Sequence, residues 1–435
     1  MDILKPDWET PEQAAVRLRK VAAATIVGSM LEWYDFYLYA TMASIVFSKV
    51  FFDAGDAAGA SMKAFATFAI GFVARPLGGI FFGYFGDRYG RKKMLYVTFC
   101  LMGICTAAIG LIPSYAAIGV WAPLLLVTIR VVQGLGAGAE LAGAAVTSYE
   151  HAADGKRGRQ GAWPALGLNL GLLLSSLTVY LLTLGGDAFL LAGGWRIPFL
   201  FSFVLVLIGL WVRRSLPETP EFQGEKARTK KPFRELFAFN LKGLGVVFFV
   251  AVGYNALSYI FKTFSLAYLT QFKGVSANVT SLSVTLASLA ALFTVPLFGW
   301  LCDVFSSKKV LVVGGVLAAL FAYPFMALLS SGDNTLVYTA LVVGTGILAP
   351  MMFAPQGSFL SRQFPVHSRS TGVGTGREIG TALAGGVAPL WALSTVASSA
   401  THSTTGVVLI LACSGLMLAL AALFDQGHRF SRHKN

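Results

Sequence analysis

Gly83-Tyr84-Phe85-Gly86-Asp87-Arg88-Tyr89-Gly90-Arg91-Lys92-Lys93 and Gly299-Trp300-Leu301-Cys302-Asp303-Val304-Phe305-Ser306-Ser307-Lys308-Lys309 are two copies of one pattern, 216 positions apart in a chain of 435. Gly, Asp and the Lys-Lys pair align, and each copy lies between two long apolar runs. An offset close to half the chain implies a duplicated unit, not a local repeat. Repeated halves with apolar interiors are the plan of carriers that rock two helical bundles about a central site.

Composition supports that reading. Hydrophobic residues make up 55% of the chain and charged residues 13%, whereas a soluble domain carries roughly a quarter charged residues. So few charges cannot clothe a water-soluble surface. The apolar content supplies about twelve segments of ~20 residues, the length that spans a bilayer core. Twelve runs are legible, from about 21–48 to about 406–424, six on either side of the polar stretch 213–234. The expected fold is an all-α polytopic membrane protein with twelve transmembrane helices in two pseudo-symmetric six-helix bundles. Residues 1–212 form the first bundle with a short tail, 213–240 a linker, and 241–435 the second bundle with its tail.

The net charge of +13 follows the same topology. With the amino terminus inside, 26 of the 34 lysines and arginines fall in the tails and even-numbered loops, and 4 in the opposite loops. This is the positive-inside bias, so both termini are expected in the cytoplasm and nucleic acid is excluded as a partner. The four cysteines lie in apolar runs and the five histidines have no ligand spacing, so neither a disulfide framework nor a metal site is expected. No nucleophile elbow or phosphate loop appears, which argues against an enzyme.

With the motifs on the page, a resemblance becomes specific. The first copy is similar to the loop signature of the major facilitator superfamily. Arg130-Val131-Val132-Gln133-Gly134-Leu135-Gly136-Ala137-Gly138 resembles its second motif, and Pro217-Glu218-Thr219-Pro220 its segment after span 6. Leu31-Glu32-Trp33-Tyr34-Asp35-Phe36-Tyr37, Ala74-Arg75-Pro76-Leu77-Gly78-Gly79 and Gly194-Trp195-Arg196-Ile197-Pro198-Phe199 resemble the metabolite:proton symporter branch. That branch includes carriers of 2-oxoglutarate, citrate, shikimate and proline or betaine. The second half is more degenerate, with Val304 and Ser307 where the first copy has arginines.

Ionisable residues inside spans are costly and therefore candidates for function. Asp35 lies about 21 Å into span 1 and Arg130 about 12 Å into span 4 from the opposite side, at ~1.5 Å per residue, so their depths nearly coincide. A carboxylate that exchanges an arginine for a proton can couple transport to a proton gradient, because a nearby cation favours the charged form and its loss the neutral one. Asp35 is the expected proton acceptor, with Glu32 and Arg130 beside it; the alternative is a permanent structural pair. Arg75 either binds a substrate carboxylate through a bidentate fork or neutralises Glu32. Tyr34 and Gln133 join the substrate candidates. So do Asn255, Ser258, Tyr259 and Lys262, whose spacing puts them on one face of span 7. Lys262 alternatively snorkels to the outer interface.

Asp87, Arg88, Arg91 and Asp303 are expected to lock one access state, or simply to anchor the loops. Arg377 and Glu378 are gate candidates that pair with each other or with the span 2–3 loop. Glu140 and Glu150 are expected in a charge network or in the gate, not in contact with substrate. The expected function is proton-coupled symport, an uptake of a small organic acid such as a mono-, di- or tricarboxylate by alternating access. A zwitterion carrier, an exchanger or uniporter, and least of all a membrane sensor or enzyme are the alternatives. No cofactor is needed when the proton gradient supplies the drive. Substrate anion, protons and membrane lipid are the expected partners of a monomer in a bacterial cytoplasmic (inner) membrane.

Overall fold

The structure, a computed structural model, describes residues 10–53, 57–153, 155–219, 232–275 and 277–427. Residues 220–231 of the expected linker and the ends 1–9 and 428–435 lie outside them. The first bundle comprises α1 (Pro11–Met42), α2 (Ala57–Tyr89), α3 (Arg91–Ile109), α4 (Trp121–His151), α5 (Trp163–Thr183) and α6 (Arg196–Arg214). The second comprises α7 (Leu241–Tyr259), α8 (Ala277–Phe305), α9 (Ser307–Leu329), α10 (Asn334–Leu341), α11 (Arg369–Ser398) and α12 (Thr405–Leu423). There is no strand among the described residues.

Eleven helical segments among the described residues are long and apolar enough to cross a membrane. The exception is α1, although its 32 residues exceed the length of a span. Glu32 and Asp35 lie three residues apart in its second half, among Trp33, Tyr34 and Tyr37, and together they lower its mean hydropathy. Its start is well specified: Thr10 accepts from the Gln13 backbone N–H, and the Gln13 side chain accepts from the Thr10 N–H. This is a capping box with Pro11 at the first helical position.

Helix pairing repeats across the halves. In the first bundle α1 packs on α5, α2 on α4 and α3 on α6; in the second α7 packs on α11, α8 on α10 and α9 on α12. Close approach needs small residues. A Cβ on Gly138 of α4 would lie 2.0 Å from the Arg75 carbonyl oxygen of α2, so only glycine allows this crossing. The bundles meet where α2 crosses α11 and α5 crosses α8. There a Cβ on Gly374 would stand 2.5 Å from the Gly79 carbonyl oxygen.

Two details depart from a simple helix-loop-helix reading. First, α2 runs through Tyr89 and α3 begins at Arg91, so Asp87 sits on the last turn of a helix and not in a loop. Gly90 makes the turn at φ 115°, and Ser306 makes the matching turn at φ 103°. Second, α1 passes into a π-helical turn at Ala43–Phe47 and α7 into another at Ile260–Phe264. Their starts are 217 positions apart, so the duplication extends to this local irregularity.

Candidate functional site

Between α1, α2 and α4 a narrow cleft is lined by Glu32, Asp35, Phe36, Phe72, Arg75 and Arg130. Asp35 projects into it from α1. The Gln133 side-chain amide donates to Asp35 Oδ2 at 2.5 Å, and Arg130 Nη1 lies 3.5 Å from the same oxygen. Gln133 also donates to the Thr106 hydroxyl at 2.8 Å, while its own oxygen accepts from Arg130 at 2.5 Å. The Arg130 guanidinium sits 3.8 Å from the centroid of the Tyr39 ring, a cation–π contact that fixes the fork. Asp35 Oδ1 is buried and accepts no hydrogen bond among the described residues. A buried bare carboxylate oxygen is costly, and a proton placed there removes the cost.

One helical turn before Asp35, Glu32 pairs with Arg75 Nη2 at 2.8 Å. The same guanidinium reaches the other bundle, where Arg75 Nε donates to Glu378 Oε2 at 3.0 Å. Glu378 is also paired with its neighbour Arg377. Arg75 thus neutralises Glu32 without hydrogen-bonding either of its oxygens, and its second partner is a carboxylate on α11. Both Arg75 and Glu378 are almost fully buried, so each depends on the other for its charge to be tolerated.

At the end carrying the two motif turns, Asp87 accepts from the backbone N–H groups of Ser370 and Thr371 at 3.1 and 2.7 Å and from the Thr371 hydroxyl at 2.7 Å. A carboxylate from the first bundle therefore caps the start of α11, where the helix dipole and the orphan N–H groups favour an anion. Arg91, fully buried, pairs with Asp87 at 3.1 Å and with Glu150 at 3.2 Å, and donates to the Val366 carbonyl at 2.6 Å. Glu150 is also held by Arg369 of α11 at 2.9 Å. In the second copy Asp303 accepts from the N–H groups of Gly158 at 2.7 Å and Arg159 at 3.2 Å, at the short helix Arg157–Gly161 preceding α5. The position matching Arg91 is Ser307, which shares a 2.5 Å hydrogen bond with Ser358.

Several expected roles change. Arg88 is exposed, donates to the Tyr84 hydroxyl at 2.6 Å and lies over Tyr89; one residue after Asp87 on a helix, it points away from the lock. Glu140 is paired with Arg213, accepts from Thr98 at 3.1 Å, and has all its partners inside the first bundle. It braces α3, α4 and α6 and is no gate. Tyr34 donates to the Pro198 carbonyl at 3.0 Å and faces α6, away from the cleft. Arg377 and Glu378 pair with each other, as one of the two expectations had it, and Glu378 also pairs with Arg75 and not with the span 2–3 turn.

On α7, Asn255 turns to α11, donating to the Ala251 carbonyl at 2.7 Å and to the Thr381 hydroxyl at 3.1 Å. Ser258 is buried, and the Tyr259 ring meets Phe72 of α2 edge-on at 6.2 Å. The π turn begins after Tyr259, so Lys262 leaves the register that the spacing implied. Lys262 is half-buried and has no ion pair among the described residues. Sequence reasoning missed Thr106, Ser370 and Thr371, and treated Arg213 and Arg369 only as topology charges. Glu218 was quoted only within a motif, yet its carboxylate accepts from the N–H groups of Arg91 and Lys92 at 3.0 and 3.3 Å and so caps α3.

Comparison with known proteins follows the same lines. Residues 25–389 and 247–434 match the Major Facilitator Superfamily. The chain is 39% identical to the inner membrane metabolite transport protein YhjE of Escherichia coli, over 85% of this chain and 86% of that protein. It is 36% identical to the shikimate transporter of the same organism, over 94% of each. It is also 34% identical to the glycine betaine/proline/ectoine/pipecolic acid transporter OusA of Dickeya dadantii, over 93% of this chain and 83% of that one. Among solved structures, the proton:xylose symporter XylE bound to 6-bromo-6-deoxy-D-glucose matches with a TM-score of 0.75 at 16% identity, over 94% of this chain and 95% of that one.

Proposed function

The chain belongs to the Major Facilitator Superfamily, a family of transporters and not of enzymes, and from that premise we propose that it is a proton-coupled symporter taking up a small organic acid by alternating access. The observation that carries this reading is the Asp35–Gln133–Arg130 cluster in the cleft, with one Asp35 oxygen buried and without a donor among the described residues. Asp35 is the proton acceptor: protonated, it releases Arg130; ionised, it recaptures it. The released guanidinium, beside Arg75, supplies the positive charge that an organic anion needs. Asp87, Arg91, Glu150 and Arg369 hold the motif face shut, and Asp303 does so on the pseudo-symmetric side. The distribution of lysine and arginine supports a motif face and both termini in the cytoplasm of a bacterial cell, with one chain as the working unit in the inner membrane and no cofactor.

A second reading has its own observation. Phe36 and Phe72 wall the cleft next to Glu32 and Asp35, and aromatic faces beside carboxylates suit a quaternary ammonium. The relative OusA carries betaine and proline by name. Uptake of labelled shikimate, 2-oxoglutarate, proline and glycine betaine into proteoliposomes, with and without an imposed pH gradient, separates the two. Gradient-driven accumulation of an acid, lost in Asp35→Asn, is the expected result. Accumulation indifferent to collapse of the gradient overturns symport, and an intact response in Asp35→Asn overturns the role given to that residue.

A further inference from the structure

We propose that Arg75 and the two glutamates that share it, Glu32 of its own bundle and Glu378 of the other, form a second proton-binding unit that trades a glutamate for a substrate carboxylate. The inference rests on the symport reading for its purpose and on geometry for its substance. Two of the three guanidinium nitrogens are engaged, Nη2 by Glu32 at 2.8 Å and Nε by Glu378 at 3.0 Å. A carboxylate that binds Arg75 bidentately needs Nη2 whichever edge it takes, and so displaces a buried glutamate. Left ionised, that glutamate is an uncompensated charge in a dry site, the arrangement that buried pairs avoid most strongly. Taking one proton from the same aqueous side removes the charge. The balance is one proton onto the glutamate, one substrate carboxylate onto Arg75, and no change in net charge; release on the far side returns both.

The groups facing this unit are few. α1 contributes Glu32 and Asp35, α2 Arg75, α4 Arg130, α7 Tyr259, and α11 Arg377 and Glu378. Glu378 also pairs with Arg377, so of the two glutamates it is Glu32 that loses its only ion-pair partner among the described residues if Arg75 leaves. Because Arg75 and Glu378 lie on different bundles, proton and substrate together also dissolve a tie between the bundles. A substrate of this site is therefore an organic anion with at least one carboxylate, and that anion competes with the chain's own side chains.

Infrared difference spectra of the purified full chain in liposomes, recorded as the pH is lowered, test this without any substrate. The reading expects a protonated-carboxyl band that survives Asp35→Asn and is lost when Glu32→Gln and Glu378→Gln are added. It also expects the band of the unsubstituted chain to shift on labelling with carbon-13 glutamate, which needs no variant to fold. In Glu32→Asp the band moves and does not vanish. A band that disappears with Asp35→Asn alone, shows no isotope shift, or persists after both glutamine substitutions overturns the proposal. Failure of the Asp35 assignment is read separately, from the uptake of Asp35→Asn.

Discussion

Asp87 and Asp303, 216 positions apart, each cap a helix start that belongs to the opposite bundle. Asp87 takes the N–H groups of Ser370 and Thr371, and Asp303 those of Gly158 and Arg159. The partners are themselves 212 positions apart, so the closure is exchanged symmetrically. Its reinforcement is not symmetric: Arg91, Glu150 and Arg369 surround the first cap with charge, while Ser307 and Ser358 meet as two hydroxyls beside the second.

Removing the first cap tests that closure. Asp87→Ala deprives α11 of an N-terminal anion, a loss of about 1–2 kcal/mol, or roughly 5- to 30-fold in the closed-to-open ratio. In a chain whose four cysteines have been replaced, a cysteine put in place of buried Ser370 should react with maleimide faster by that factor. Asp303→Ala should open the face less, because its ion pair is a long 3.9 Å contact with half-exposed Arg159 and not a fully buried arginine.

Arg91 and Arg88 should separate cleanly. Arg91→Ala leaves Glu150 buried with one arginine fewer, at a cost of about 3–5 kcal/mol, and uptake should fall by more than about tenfold. Arg88→Ala touches only an exposed side chain and should leave uptake within about twofold. Equal losses in the two variants would mean that the motif acts through its charge alone.

The α2–α11 crossing should tolerate no side chain. Gly374→Leu meets the Gly79 backbone, and overpacking of this kind costs about 1–3 kcal/mol. The strain falls between bundles and not inside one, so thermal melting should change little while spin labels across the motif face move apart. A large drop in melting temperature with no change in that distance would place the contact inside the folding core.

Glu140 and Arg213 should behave as a brace. Arg213→Met strands a buried carboxylate, lowering stability by about 3–5 kcal/mol, whereas Glu140→Gln combined with Arg213→Met should recover part of the loss. A double-mutant cycle read by melting in detergent measures the coupling; additive losses would contradict the pairing.

Ser306 adopts φ 103° where its counterpart is Gly90. Relief of a non-glycine residue in that region is worth about 1 kcal/mol, and the Ser306 hydroxyl accepts only a long 3.4 Å bond from the Lys309 N–H. Ser306→Gly should therefore raise the melting temperature, and Gly90→Ser should lower it.

Much of this arrangement was legible because it is periodic or repeated. The offset of the two motifs carried the twofold plan, and the matched depths of Asp35 and Arg130 brought those residues together before any coordinates did. What stayed hidden depends on side chains that meet across long separations. Arg213 and Arg369 look like topology charges at helix ends, and only packing shows that one serves Glu140 and the other Glu150. Tyr34 shares a motif with Asp35 but points a different way around the helix. The α7 face read from spacing dissolves at Ile260, because a π turn changes the register and leaves no mark in hydrophobic periodicity.

The six charges gathered around the cleft, Glu32, Asp35 and Glu378 against Arg75, Arg130 and Arg377, sum to zero. Moving one elementary charge through a membrane potential costs roughly 2.3 kcal/mol per 100 mV. Under the proposed cycle these six groups, at their formal charges, contribute no such electrical work when the empty carrier resets. The membrane potential would then act on them through whatever net charge the network picks up and carries.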